Sequence, residues 1–253
     1  MREIILEQLL KIETDCRVKI LYACESGSRA WGFASPDSDF DVRFIYSRNP
    51  REYLRINDAH SVIDLPINEL LDIGGWDLRK ALRLYLKSNG PFYEWLQSPI
   101  VYMDTHGLKQ ELLSLKNKYF SPRAGSHHYL SMATNVIEND MNSEQVKLKK
   151  YFYALRSLLA AQWIIQNKET PPMEFGQLRT LVTDSKFHTE VDKLLELKKA
   201  STEKEMINHV SILQNWMTEK LSELKVLSGI FLPLRNETEE LDGIFTKHIG
   251  YDL

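Results

Sequence analysis

Two spacings of apolar residues divide this chain. Up to about residue 119, short apolar runs of strand character are interleaved with helical periods; beyond it the helical period runs almost alone. Ile4, Ile5, Leu9 and Ile12 recur at helical spacing among Glu and Lys and predict a helix from Met1 to about Thr14. Val18 to Cys24 reads as a mostly buried strand. Gly27-Ser28 breaks it, and Ser28 is placed to cap a short helix that follows. Ser35-Pro36-Asp37-Ser38 is a loop by composition. From Asp39 to Tyr46 the alternation is clean. Asp39, Asp41 and Arg43 share one strand face, and Phe40, Val42 and Phe44 share the other, which belongs in a core.

A third apolar run, Val62-Ile63-Asp64-Leu65, lies within His60–Ile67, and a fourth, Leu70-Leu71-Asp72-Ile73, ends at Gly74-Gly75. A helix then starts near Trp76-Asp77. Leu78, Ala81, Leu82, Tyr85 and Leu86 form its apolar face, with Lys80, Arg83 and Lys87 on another. Asn89-Gly90-Pro91 stops it, and a short helix runs to Leu96. Ser121-Pro122-Arg123-Ala124-Gly125 marks a boundary, after which there is almost no strand signal. Helices are predicted for Ser126 to about Asn139, from a cap at Asn142-Ser143 to Ile165, near Gln177–Thr183, and from Thr189 to about Lys199. Thr202-Glu203-Lys204-Glu205 fits a capping box heading a long helix to about Val226, and 235–253 reads as a short terminal helix with a polar end. The fold class expected is α+β (mixed α/β). A sheet-and-helix domain covers 1–120, and an all-α domain covers 121–253.

Composition narrows the class. With 253 residues, 43% of them hydrophobic and 26% charged, there is ample material for a core. The net charge of −3 argues against a protein that holds nucleic acid by bulk electrostatics and leaves room only for a local basic groove. No run approaches the roughly 18 apolar residues of a membrane span, and charges break up the N-terminal stretch, so the expected location is the cytoplasm with no membrane partner. Cys16 and Cys24 are too few for a disulfide framework and read as reduced thiols.

The chemistry lies between Glu25 and Arg43. A Gly-Ser turn at a helix start offers N–H and hydroxyl donors to phosphate through Gly27 and Ser28, with Arg29 immediately after. Asp39 and Asp41, about 7 Å apart along one strand face, repel unless something positive lies between them. Arg43 is one such cation; a hard divalent ion, Mg²⁺ or Mn²⁺, is another. Phosphate donors beside a carboxylate pair suit transfer of a nucleotide from an NTP to a hydroxyl, with two metal ions clamping the attacking and leaving oxygens. A third carboxylate completes such a site, and the candidates are Asp72, Asp64 and Asp77. Asp77 also sits where a helix starts and suits an N-cap.

The string Glu25-Ser26-Gly27-Ser28-Arg29-Ala30-Trp31-Gly32 through Ser35-Pro36-Asp37-Ser38-Asp39-Phe40-Asp41-Val42-Arg43 resembles the nucleotidyltransferase superfamily of DNA polymerase β, in its branch linked to RNA repair. Gly75-Trp76-Asp77-Leu78-Arg79-Lys80-Ala81-Leu82-Arg83-Leu84 and Leu148-Lys149-Lys150-Tyr151-Phe152-Tyr153-Ala154-Leu155-Arg156 are similar to the same branch. Ser26 departs from it, since many members carry glycine there. The resemblance implies a minimal nucleotidyltransferase fold followed by a helical domain that lines the cleft and selects the acceptor. It also implies metal ligation by Asp39, Asp41 and, as the preferred third, Asp72, and nucleotide contacts from Gly27, Ser28, Arg29, Lys149, Tyr153 and Arg156. An RNA 3′ end is the acceptor class it favours; small-molecule and protein hydroxyls fit the same chemistry. The rival expectations are a non-catalytic nucleotide sensor or antitoxin-like module on the same fold, and a Mg²⁺ hydrolase, for which no His-Asp spacing is present.

Overall fold

The computed structural model describes residues 1–66, 70–234 and 237–250. In chain order its elements are α1 (Arg2–Cys16), β1 (Lys19–Glu25), α2 (Gly27–Trp31), β2 (Phe40–Ser47), α3 (Pro50–Tyr53), β3 (Val62–Asp64), β4 (Leu71–Asp77), α4 (Leu78–Leu86), α5 (Gly90–Leu96), β5 (Val101–Met103) and α6 (Leu108–Tyr119). There follow α7 (Pro122–Asp140), β6 (Gln145–Lys147), α8 (Leu148–Asn167), α9 (Phe175–Leu178) with a 3-10 turn over Arg179–Leu181, α10 (Ser185–Ala200), β7 (Met206–Asn208), α11 (Ser211–Ser228) and α12 (Glu239–Ile249). Ile67, the end of the third predicted apolar run, and the polar end at 251–253 lie outside the described residues. Among the described residues no helix is long and apolar enough to cross a membrane.

The chain forms two compact units. One takes Met1–Gly27, Asp39–Tyr119 and 235–253; the other takes Ser28–Ser38 and Phe120–Leu234. The first unit is built on a five-stranded sheet of order β3-β4-β2-β1-β5. Its β2–β4 pair is parallel, and its other pairs are antiparallel. Ile5, Leu9 and Ile12 bring the apolar face of α1 onto one side of this sheet, against Ile20, Ala23, Val42, Phe44, Leu71 and Ile73. Burying those side chains is the main stabilising term for this unit. The opposite face carries Asp41, Arg43, Asp72 and Gly74 through the parallel register, which pairs Asp41 with Asp72 and Arg43 with Gly74. Cys24 is buried, and burial pushes its thiol up to about 12.

The first four strand runs fall where the apolar patterns predict, and Asp39 lies one residue before β2. Several boundaries differ, among them the start of the long helix expected from a cap at Asn142-Ser143, which begins only at Leu148. Gly74 and Gly75 do not end β4. A Cβ at Gly75 would lie 2.3 Å from Phe44 Cε2, and one at Gly74 would lie 2.6 Å from Asp64 Oδ1, so the glycines make room for cross-strand side chains inside the strand. The helix expected from Ser126 begins at Pro122, where the Ser121 hydroxyl accepts the Ala124 N–H at 3.3 Å. The helix α2 starts at Gly27, which leaves Ser28 inside its first turn rather than at its cap.

The second unit is helical apart from a two-stranded ribbon. α7, α8 and α11 pack around Leu148, Phe152, Leu155 and Leu159, all buried as their spacing predicts. The ribbon pairs β6 with β7, in a region where helix alone was expected. Thr202–Glu205 does not head a helix. Glu205 N–H donates to Thr202 O at 3.1 Å in a turn, and α11 starts only at Ser211. Local capping chemistry loses here to longer-range partners of Glu203, described below.

Candidate active site

Asp41 is fixed from both faces of the sheet. On the α1 side Glu25, with no solvent exposure, accepts the Asp41 backbone N–H at 2.8 Å through Oε1, and the Tyr102 hydroxyl donates to its Oε2. The Asp41 carbonyl accepts the Ser26 N–H at 2.7 Å. On the other side the Asp41 carboxylate lies over Gly27. That residue has φ of +60°, and a Cβ there would come within 1.9 Å of Asp41 Oδ2. Two requirements therefore select glycine at this turn, the left-handed backbone and the close approach of a carboxylate.

Arg43 joins the acidic residues of two strands. Its Nη2 donates to Asp72 Oδ2 at 2.6 Å and to Asp41 Oδ1 at 3.3 Å, while Nη1 donates to Asp72 O at 3.0 Å and Val42 O at 3.1 Å. The side chains of Arg43, Asp41 and Asp72 are 21%, 30% and 28% exposed, so the cluster opens to solvent without being on the surface. Burial works against the guanidinium charge. Asp72, Asp41 and Asp64 outweigh it and raise the Arg43 pKa. Asp64 stands opposite Gly74 on the neighbouring strand, on the same face. Asp77 is committed elsewhere: it caps α4, accepting the Arg79 N–H and the Tyr53 hydroxyl, each at 2.9 Å. Burial raises its pKa against those donors.

Of the expected metal ligands, Asp41 and Asp72 are thus brought together around one cation. Asp39 is exposed just ahead of β2. Among the described residues no three acidic, histidine or cysteine side chains converge as a ready metal cluster. The donor set nevertheless suits a hard divalent ion. Two carboxylates lie in direct cross-strand register and already hold a positive group between them, and Gly27 places no side chain of its own over Asp41 Oδ2.

The residues expected to meet the nucleotide divide. Ser28 is nearly buried within the first turn of α2. Arg29 Nη2 donates to Ser38 O at 2.6 Å, drawing the end of the loop back to that helix. Arg156 is 2% exposed. Its Nε and Nη2 donate to Met173 O at 3.1 and 3.0 Å, and its guanidinium lies 4.5 Å from the Trp31 ring centroid. Tyr153 meets the same ring edge-on at 5.7 Å, and Phe33 stacks on Phe152 at 5.0 Å. Lys149 pairs with Glu203 Oε2 at 3.1 Å. Within the second unit, then, Tyr153 and Arg156 pack on Trp31 of the segment that carries Ser28 and Arg29, and Lys149 is linked to that segment through Glu203.

Sequence reasoning missed Glu25, Tyr102, Lys198 and Glu203. A carboxylate closing an apolar strand just before a Gly-Ser turn is a signal for Glu25. Tyr102 and Lys198 carry no local signal, and Glu203 was hidden under a capping pattern.

The chain matches the model of the RNA repair pathway DNA polymerase beta family (RlaP) over residues 1–247. It belongs to that family. It is 42% identical over 225 residues to the uncharacterized protein YcgL of Bacillus subtilis (strain 168), across 88% of this chain and 86% of that one. A crystal structure at 1.90 Å of a nucleotidyltransferase-like protein from Exiguobacterium sibiricum 255-15 aligns with 96% of this chain and 80% of its own, at 13% identity and a TM-score of 0.31. Membership in the RNA repair pathway DNA polymerase beta family gives the chain the character of a polymerase-β-like nucleotidyltransferase.

Proposed function

We propose that this protein transfers a nucleoside monophosphate from an NTP to a hydroxyl acceptor, with an RNA 3′ end as the acceptor class, and that it depends on Mg²⁺ or Mn²⁺. The observation that supports this best is the pairing of Asp41 with Asp72 across parallel strands, with Asp41 resting on the glycine of a phosphate-type turn. In the reaction the bond from the acceptor oxygen to the α-phosphorus forms. The bond from that phosphorus to the β-phosphate oxygen breaks, pyrophosphate leaves, and the acceptor proton passes to a base. Asp39, Asp41 and Asp72 would hold the divalent ions, which when bound supply Lewis-acid stabilisation of the charged oxygens. Asp72 is the base assigned to the hydroxyl proton. The N–H groups and hydroxyl of Gly27-Ser28 receive the triphosphate. Arg29, Lys149, Tyr153 and Arg156 serve the nucleotide by holding the segment that presents those donors. The expected location is the cytoplasm, where NTP and Mg²⁺ are available.

A second reading, a nucleotide sensor without transfer, draws on one observation: Arg43 already neutralises the pair that the metal would use. One experiment separates the two. The protein and an Asp39→Asn/Asp41→Asn variant are incubated with each α-labelled NTP, Mg²⁺ or Mn²⁺, and mixed RNA, protein and small-hydroxyl acceptors. Label transferred by the unsubstituted protein alone supports the enzyme and names its acceptor. NTP binding without transfer in every mixture supports the sensor.

A further inference from the structure

The loop Ser35–Ser38 leads directly into Asp39, and its own turn is minimal. The Ser38 N–H donates to Ser35 O at 3.1 Å, and the Ser35 N–H donates to Ser38 Oγ at 2.9 Å. What holds it further comes from Arg29, whose Nη2 donates to Ser38 O at 2.6 Å, and from residues 149, 198 and 203 of the same unit. Ser38 Oγ donates to Glu203 Oε1 at 2.6 Å, and Lys198 Nζ donates to Ser35 Oγ at 2.8 Å. Lys198 lies 3.5 Å from the same Glu203 oxygen, Lys149 pairs with Oε2 at 3.1 Å, and the Glu203 N–H donates to Asp37 Oδ1 at 2.9 Å.

This is a costly way to fix a surface loop. Lys198 is 2% exposed, and an ammonium so buried is destabilising unless paired and hydrogen-bonded. Ser35 and Ser38 are also buried, whereas Asp39, one peptide further, is exposed. The chain passes from a clamped residue to a functional carboxylate in a single step of about 3.8 Å. A ligand must be held to about 0.5 Å for productive geometry. Nothing in the turn alone supplies that, because its two hydrogen bonds join the ends of the loop to each other and to nothing fixed.

We propose that Glu203, braced by Lys149 and Lys198, is a positioning residue for Asp39: it anchors Ser38 and Asp37, and so fixes where the first metal-ligating carboxylate leaves the loop. This rests on the metal-dependent transferase proposed above.

The test is Mn²⁺ binding, followed by the electron paramagnetic resonance signal of the free ion, on the full chain with a non-hydrolysable NTP analogue. Glu203→Gln and Ser38→Ala are each expected to weaken Mn²⁺ binding about tenfold or more, as loss of an outer-shell partner does. Glu203→Asp restores part of it, and the exposed-pair control Glu196→Gln changes nothing. The decisive measurement is a double-mutant cycle. If Glu203 acts through Asp39, adding Glu203→Gln to Asp39→Asn costs no further affinity. A folded Glu203→Gln protein that binds Mn²⁺ like the unsubstituted chain overturns the proposal. So do losses that add in the double variant. Should Glu203→Gln not fold, Ser38→Ala decides by the same criteria. If instead Asp39→Asn leaves Mn²⁺ binding unchanged, the metal site itself is wrongly assigned, a failure distinct from that of the positioning role.

Discussion

The carboxylate of Asp41 occupies the space where any side chain at residue 27 would begin, 1.9 Å from the Cβ position of Gly27. The Gly-Ser turn and the acidic strand are thereby fitted to each other at one point. Gly27→Ala would displace Asp41 and also strain a backbone at φ +60°. Expected are a stability loss of about 1–3 kcal/mol and, if transfer occurs as proposed, a rate loss of about 10²-fold. Gly32→Ala is the matched control. Its φ is +87° but nothing lies within 4 Å of its Cβ, so it carries the strain without the collision. Thermal unfolding midpoints and label transfer for the two variants separate the effects.

Arg43 bridges Asp41 and Asp72, where under the proposed function a metal ion would lie. Arg43→Met leaves two facing carboxylates without their shared donor. It should cost about 1–3 kcal/mol, or roughly 2–10 °C in unfolding midpoint for a chain of this size. Added Mg²⁺ should then raise the midpoint of the variant more than that of the unsubstituted protein, because the ion relieves a repulsion that Arg43 otherwise relieves. Differential scanning with and without Mg²⁺ reads both outcomes.

The Glu203 network carries a pH signature. Burial pushes the Glu203 carboxyl up, but the Ser38 hydroxyl, Lys149 and Lys198 outweigh it and hold its pKa below the ordinary value. A depressed carboxylate contributes stability that is fully present above its unfolded pKa of about 4.3 and is lost as pH falls through its lower folded value. The gap in urea midpoint between the unsubstituted protein and Glu203→Gln should be constant from neutrality down to about pH 5 and should close below about pH 4. At neutrality it should correspond to about 1–2 kcal/mol, since Glu203 is partly exposed.

Cys24 should be silent toward thiol reagents. Its pKa near 12, raised by burial, leaves about 10³-fold less thiolate than a thiol at its usual value. Titration of the native protein should label Cys16, which is partly exposed, well before Cys24, and both should react at once in denaturant.

Where local pattern and tertiary demand agreed, the sequence was a reliable guide. The alternation from Asp39 to Tyr46 put Val42 and Phe44 in the core and Asp41 and Arg43 on the opposite face, and β2 does the same. Asp77 caps α4 as its position before the helix implied. Glycine misled at Gly74-Gly75, because a strand break and a close cross-strand approach call for the same residue, and only the positions of Phe44 and Asp64 tell them apart. Thr202–Glu205 misled as well. The capping pattern rests on Thr202 and Glu205, whereas the partners that hold the segment fall on Glu203, and one of them, Ser38, lies 165 residues away in the sequence. The β6–β7 ribbon, three residues on each side, is too short for any period to register. Glu25 was legible only as an oddity, a charge ending an apolar strand.

Ser38 and its carboxylate partner are separated by 165 residues. At synthesis rates of about 5–20 residues per second, Glu203 leaves the ribosome about 8–30 s after the serine it anchors. The segment Ser28–Ser38 belongs to a unit whose remaining residues begin only at Phe120. During that interval β1 and β2 are already made, and the loop between them waits without its clamp. Under the proposed role of Glu203, a nascent chain cannot assemble a competent metal site early. Activity of the proposed kind would begin only after Glu203 has been made, so a nascent chain carrying the strands and the loop alone would stay silent.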